Sequence, residues 1–116
     1  HSGNQINTSE NFTENSYLNI LVYTLDALVF DILKIVPSHI KIDTDGDELE
    51  ILKSGREVLK NKNLLSISIE LDESKQNVMS EILDILTRNN YKFVSKEPAV
   101  GTHTNPILFN YIFNTK

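Results

Sequence analysis

Residues 39–52 have the sequence HIKIDTDGDELEIL, in which a short apolar strand pattern runs into an acidic turn and then into a helical pattern. In an open α/β sheet, ligands bind at the carboxyl ends of parallel strands, because strand ends and helix N-termini converge there on one crevice. The turn contains Asp43, Asp45 and Asp47. The sequence therefore places three carboxylates where the functional site of such a sheet is expected.

Strands and helices alternate along the rest of the chain. Apolar residues at helical spacing and short β-branched runs predict strands at 18–24, 40–43, 64–71, 91–95 and 107–113, and helices at 26–35, 48–61 and 74–89. Helices between successive strands imply a parallel sheet with right-handed crossovers. The last strand has no helix before it, so we expect it to run antiparallel to its neighbour.

The size of the sheet and the polar N-terminus define the domain organisation. We interpret LLSISIEL, residues 64–71, as apolar on both sides, which is typical of a sheet covered on both faces. Four or five strands are few for such a sheet, so we expect the chain to be part of a larger domain. Residues 1–16 are rich in Asn, Ser, Thr and Glu and predict a flexible polar arm, which leaves residues 17–116 as the partial domain.

The composition limits the function classes. The 116 residues carry a net charge of −5, which argues against nucleic acid or an anionic membrane as a partner. No apolar run approaches the roughly 20 residues needed to span a bilayer. The absence of cysteine excludes disulfides, thiolate zinc sites and a thiol nucleophile, and it fits the reducing cytoplasm, where we expect the protein to act.

The acidic turn does not match the EF-hand calcium loop. That loop requires Gly at its sixth position and a bidentate Glu at its twelfth. With Gly46 as the sixth residue, Lys41 is first and Leu52 is twelfth, so both terminal ligands are missing. The EF-hand is excluded, but a looser divalent-cation site of two or three carboxylates remains open.

Helix capping is the structural alternative for these carboxylates. Asp45, with Glu48 three residues later, has the spacing of a capping box, and acidic residues near a helix start interact favourably with the helix dipole. We interpret Asp47 and Glu50 as structural and leave both roles open for Asp45. A functional role is favoured for Asp43, because an ionised carboxylate at a strand end must be solvated, paired or near a ligand.

The run HIKIDTDGDELEILKSGREVLKNKNLLSISIEL, residues 39–71, resembles the C-terminal half of the FkbM-type methyltransferases, a branch of the S-adenosylmethionine-dependent Rossmann-like enzymes. Members carry a Lys-Ile-Asp-x-Glu/Asp-Gly-x-Glu segment after a strand, and VYTLDAL, residues 22–28, is similar to their Thr-Leu-Asp-x-Leu segment. The resemblance implies an α/β fold, namely the C-terminal half of a Rossmann-like class I methyltransferase sheet with an antiparallel last strand. It also implies S-adenosylmethionine as cofactor and O-methyl transfer to a hydroxyl of a small molecule or glycan.

The chain departs from the family pattern in ways that bear on function. Asp45 stands where many members have Glu, Asp47 replaces a common aromatic or apolar residue, and Ser54 precedes Gly55 where members often read Lys-Gly-Ala. The chain has four glycines and no G-x-G pair, whereas the family binds its methyl donor mainly through a Gly-rich turn. We therefore expect the S-adenosylmethionine site to lie mostly outside this chain and the fragment alone to be inactive.

Five residues are candidates for the site that the resemblance implies. Asp43 and Asp45 are predicted to be catalytic, by holding or deprotonating the acceptor hydroxyl. Glu70, at the end of the next parallel strand, is predicted to bind the substrate, as is His103, whose loop between the last two strands can cover the acceptor and whose side chain suits proton transfer near neutral pH. Asp26 is predicted to contact the cofactor.

Two other function classes remain open. A non-catalytic α/β module that binds a partner or self-associates would use the uncovered edge of a partial sheet, since unpaired edges and apolar surface drive association. A carboxylate-based metal-dependent enzyme is supported only by the acidic turn. The expected partners are thus a small-molecule or glycan acceptor and a second copy in a homo-oligomer, with neither nucleic acid nor membrane.

Overall fold

The computed structural model describes residues 6–13, 16–99 and 107–115. In these ranges the strands are β1 (Ile6–Thr13), β2 (Ser16–Tyr23), β3 (His39–Ile42), β4 (Ser66–Asp72), β5 (Lys92–Pro98) and β6 (Leu108–Asn114). The helical segments are a π-helix (Ala27–Leu33) and helices α1 (Glu48–Lys53), α2 (Arg56–Lys60) and α3 (Gln76–Arg88). No helix in the described ranges is long and apolar enough to cross a membrane.

A mixed four-stranded sheet organises the fold, in the order β3-β4-β6-β5. The crossover through α1 and α2 makes β3 and β4 parallel, with Ile42 opposite Ile69. The last strand, β6, lies between β4 and β5 and runs antiparallel to both. The α/β class and the antiparallel last strand are therefore confirmed. The expected parallel sheet is wrong, because only β3 and β4 pair in parallel among the described strands and β2 pairs with β1.

The core lies on one face of this sheet, against the three α-helices. In β4, Ile67, Ile69 and Leu71 are buried, whereas the alternate residues Ser66, Ser68 and Glu70 are partly exposed. The expectation of a β4 covered on both faces is wrong within the described residues. The segment S-I-S-I-E-L alternates with the two-residue period of a half-buried strand, which its high apolar content obscured.

The helix predicted at 48–61 is two short helices that meet at Ser54 and Gly55. The Ser54 hydroxyl donates to the Ile51 carbonyl at 2.7 Å and accepts a hydrogen bond from the Leu25 backbone N–H at 2.9 Å. A Cβ on Gly55 would lie 2.6 Å from the Leu25 side chain, so only glycine allows this approach. The prediction of one continuous helix is wrong, because contacts with a distant segment interrupt it.

The helix predicted at 26–35 is present, but its hydrogen bonds have π-helical spacing. It ends when the N–H of Lys34 donates to the Val29 carbonyl at 2.8 Å, with Lys34 at a φ of 57°. Ala27 and Val29 are buried, whereas several large apolar side chains of this segment are exposed.

The predicted flexible arm of residues 1–16 contains a strand. β1 pairs antiparallel with β2 along its whole length, from Ile6 opposite Tyr23 to Thr13 opposite Ser16. Strand pairing satisfies backbone N–H and C=O groups whatever the side chains are, so a polar composition does not exclude it. Ile6–Thr13 therefore forms a strand, and the boundary drawn at residue 17 falls inside β2.

Candidate active site

The acidic turn between β3 and α1 lies at the carboxyl end of β3, beside the end of β4. Because Ile42 pairs with Ile69, Asp43 and Glu70 directly follow this pair at the same edge of the sheet. The parallel pairing thus brings together two of the carboxylates that the sequence singled out.

A buried carboxylate holds the shape of this turn. Glu48 is only 8% exposed, and its Oε2 accepts hydrogen bonds from the Thr44 hydroxyl at 2.7 Å and the Thr44 N–H at 3.2 Å. The Thr44 Oγ1 in turn accepts a hydrogen bond from the Asp47 N–H at 3.2 Å. Gly46 takes a φ of +104°, which strains any residue with a side chain. The turn is therefore a closed unit that presents its other carboxylates outward.

The capping-box interpretation of Asp45 is wrong. Helix α1 begins at Glu48 with Asp47 as its N-cap residue, and the Asp47 side chain makes no capping hydrogen bond. The Glu48 side chain bonds Thr44 instead of reaching back to an N-cap N–H. Asp45 is exposed and is left without a capping role, which removes the main structural explanation for it.

A cavity of about 290 Å³ opens beside the turn. Its polar lining includes the carboxylates Asp45, Glu48 and Glu70 and the ammonium group of Lys75. The residues of α3 that line it are apolar: Val78, Met79 and Ile82. An apolar wall facing a few convergent polar groups is typical of a small-molecule site.

Asp43 borders a different cavity. It lines a space of about 330 Å³ between β3 and the π-helix, with Leu25, Leu28 and Leu33 among the apolar residues there. The two carboxylates predicted to be catalytic therefore line separate cavities. Of the pair, Asp45 shares a cavity with Glu70.

The carboxylates act on one another electrostatically, with Glu70 at the centre. Partial burial raises the pKa of Glu70 above its ordinary value, and the negative charges of Asp43, Glu48 and Asp45 raise it further. Lys41 opposes this effect. A carboxylate with a raised pKa holds a proton more readily, which suits a general base better than a fully exposed carboxylate.

A family model described as the methyltransferase FkbM domain matches residues 1–93. The chain belongs to the FkbM methyltransferase domain family. This membership confirms the resemblance and indicates a methyltransferase function. A search of curated proteins and a search of solved structures returned no match. The match includes the acidic turn and Glu70, so the candidate site belongs to the matched part of the FkbM domain.

Asp26 has a structural role in the FkbM domain that the sequence did not reveal. Its Oδ1 accepts a hydrogen bond from the Val58 N–H at 2.8 Å, and its Oδ2 accepts one from the Glu57 N–H at 3.1 Å. It therefore caps the start of α2 from a segment about thirty residues away. Contact between Asp26 and a cofactor stays a prediction, but both carboxylate oxygens already have partners.

The location of most of the S-adenosylmethionine site outside this chain stays a prediction. The chain has no G-x-G pair, and the acid predicted to contact the cofactor is engaged by α2. Within the described ranges, no three His, Asp or Glu side chains converge as a metal site requires.

One predicted site residue is untested, and two residues near the site were not predicted. His103 lies outside the described residues, so its predicted substrate contact is untested. Thr44 and Lys75 were not predicted. The signal for Thr44 is a hydroxyl residue four positions before a Glu at a helix start, whereas nothing local marks Lys75, which reaches the cavity through the fold.

Proposed function

We propose that this FkbM domain supplies the acceptor side of an S-adenosylmethionine-dependent O-methyltransferase that acts on a hydroxyl of a small molecule or glycan. The observation that carries the proposal is the convergence of Asp45 and Glu70 on one cavity at the strand ends, with Asp43 next to Glu70. The cavity combines carboxylate acceptors with an apolar wall. Carbohydrate-like substrates present both hydroxyl and apolar ring surfaces that such a site can accommodate.

Each carboxylate has a distinct role in this proposal. Glu70 accepts the proton of the acceptor hydroxyl, because partial burial and the neighbouring carboxylates raise its pKa above the ordinary value, which favours a general base. Asp45, without a capping bond, accepts a hydrogen bond from the acceptor and orients it. Asp43 raises the proton affinity of Glu70 from the neighbouring position, and orientation lowers the barrier further.

The main contacts with S-adenosylmethionine come, in this proposal, from residues outside this sequence. The support is the lack of a G-x-G turn and the engagement of Asp26 by α2. Calorimetric titration of S-adenosylhomocysteine into the 116-residue chain and into the natural polypeptide that contains it tests this division. We expect binding by the natural polypeptide alone, and binding by the 116-residue chain would contradict the division.

Methyl transfer from radiolabelled S-adenosylmethionine to a panel of sugars and hydroxylated small molecules tests the acceptor roles. In the natural polypeptide, we expect Glu70→Gln to lower kcat by about 10²-fold or more and Asp45→Asn to raise KM for the acceptor. Asp47→Asn is the matched control, since that side chain lies in the same turn and makes no capping bond. Full activity of both Glu70→Gln and Asp45→Asn would contradict the proposal.

A second candidate function, self-association without catalysis, is favoured by the exposed face of the π-helix. Phe30, Ile32, Leu33 and the following Ile35 are between 39% and 70% exposed. Beside them, β3 pairs on one side only within the described sheet. Light scattering coupled to size exclusion would detect a dimer. A dimer together with no S-adenosylhomocysteine binding by the natural polypeptide would support this function over methyl transfer.

A further inference from the structure

A cavity of about 490 Å³ lies on the helical side of the fold, between α2 and the second half of α3. It shares no lining residue with the cavity of the candidate active site. The cavity lies where the helical segment is interrupted at Ser54 and Gly55. Helix α1 packs on α3, and residues of both α2 and α3 line the cavity.

The wall of this cavity is cationic in an acidic protein. Four of the 11 Lys and Arg residues of a chain with net charge −5 line it: Lys53, Arg56, Lys60 and Arg88. Glu81 and Asp84 are the acidic residues among its lining. The cavity thus has a local excess of positive charge that opposes the charge of the whole molecule.

Two of the four cations have acidic partners. Lys53 lies 3.9 Å from Glu81, and Arg88 lies 3.1 Å from Asp84. Arg56 and Lys60 form no ion pair or hydrogen bond through their side chains with any described residue. They stand one helical turn apart on α2, so both face the same space.

The floor of the cavity is aliphatic. Leu52 and Leu59 are buried, and Ile85 is partly buried. The volume falls within the range of small-molecule sites, about 300–1,000 Å³. An apolar floor beneath two unpaired cations suits a ligand with an anionic head and an apolar body.

We propose that this cavity binds a small phosphate monoester that carries an apolar group, with its phosphate held by Arg56 and Lys60. The Arg guanidinium offers a planar fork that matches phosphate oxygens, and the Lys ammonium adds a flexible point charge. The apolar group lies on Leu52, Leu59 and Ile85. The site is separate from methyl transfer and does not depend on that function.

Titration of the ¹⁵N-labelled 116-residue chain with phenyl phosphate, followed by NMR, tests the site. We expect saturable shifts in the backbone amides of residues 53–60 and 81–89, and a smaller affinity at higher salt, because exposed charges are screened. Inorganic phosphate and phenol are each expected to bind about tenfold more weakly, since each lacks one half of the ligand. Equal binding by inorganic phosphate would overturn the role of the apolar floor.

Charge-removing variants locate the phosphate. We expect Arg56→Gln and Lys60→Gln each to weaken phenyl phosphate binding about tenfold. Lys62→Gln is the matched control, because Lys62 is exposed and does not line the cavity. Circular dichroism confirms that each variant is folded. Unchanged affinity of the folded double variant, or an equal loss in Lys62→Gln, would overturn the proposal.

Discussion

Replacement of Asp26 by Ala removes the acceptor that caps α2. Two N–H donors lose their partner, but they are not equivalent. The Glu57 N–H is exposed and finds water, whereas the Val58 N–H is partly buried above a fully buried side chain. Loss of a helix cap costs about 0.5–2 kcal/mol, and a hydrogen bond to a charged group contributes about 1.5–3 kcal/mol. We therefore expect Asp26→Ala to lower the free energy of unfolding by about 2 kcal/mol.

For a domain of this size, that loss corresponds to a fall in Tm of about 8 °C. Asp26→Asn keeps one acceptor oxygen without its charge, so we expect about half the effect. Urea denaturation followed by circular dichroism measures the free energy of unfolding of both variants. Asp31→Ala is the control, because Asp31 is an exposed carboxylate on the π-helix that follows Asp26.

The reasoning would be refuted if Asp26→Ala unfolded at the same urea concentration as Asp31→Ala. S-adenosylhomocysteine affinity in the natural polypeptide separates the two roles considered for this residue. A large loss of affinity in Asp26→Asn, without a loss of stability, would establish the cofactor contact and contradict the capping argument.

Three further changes test the packing and the site electrostatics. Tyr91→Phe removes a buried hydrogen bond of 3.1 Å to the Leu59 carbonyl and should cost about 1 kcal/mol of stability in urea denaturation. Gly55→Ala should cost about 1–3 kcal/mol, because the methyl group meets Leu25; a stability equal to wild type would show that Leu25 moves aside. Glu70→Gln should stabilise the fold near pH 7, because the raised pKa of Glu70 means that its ionised form is disfavoured when folded. This gain should vanish below pH 4.5, where folded and unfolded Glu70 are both protonated, and a gain that persists there would contradict the charge argument.

The candidate site could be predicted from the sequence only in part. That carboxylates follow β3 is a property of the sequence, and so is their position at the carboxyl end of β3, which pairs in parallel with β4. The sequence does not show which cavity each carboxylate borders, since Asp43 and Asp45 are only two residues apart and line different cavities. The turn decides this, through the bond between Thr44 and Glu48 and the positive φ of Gly46.

Several features of the fold depend on local periodicity and could be predicted from the sequence. β3, the amphipathic helix α3 and the α/β order follow from spacings of two and 3.6 residues, which act within one segment. The antiparallel direction of the last strand followed from the absence of a helix before it. Family membership could also be predicted, because the resemblance rests on a run of adjacent residues around the acidic turn.

Other features depend on contacts between distant segments and could not be predicted from the sequence. Leu25 contacts Ser54 and Gly55, where the helix is interrupted, and Asp26 caps the start of α2. The insertion of β6 between β4 and β5 and the pairing of a polar β1 with β2 are of the same kind. In each case a hydrogen bond or a close approach across many residues outweighs a local preference of a few tenths of a kcal/mol to about 1 kcal/mol per residue, and no local pattern records that contact.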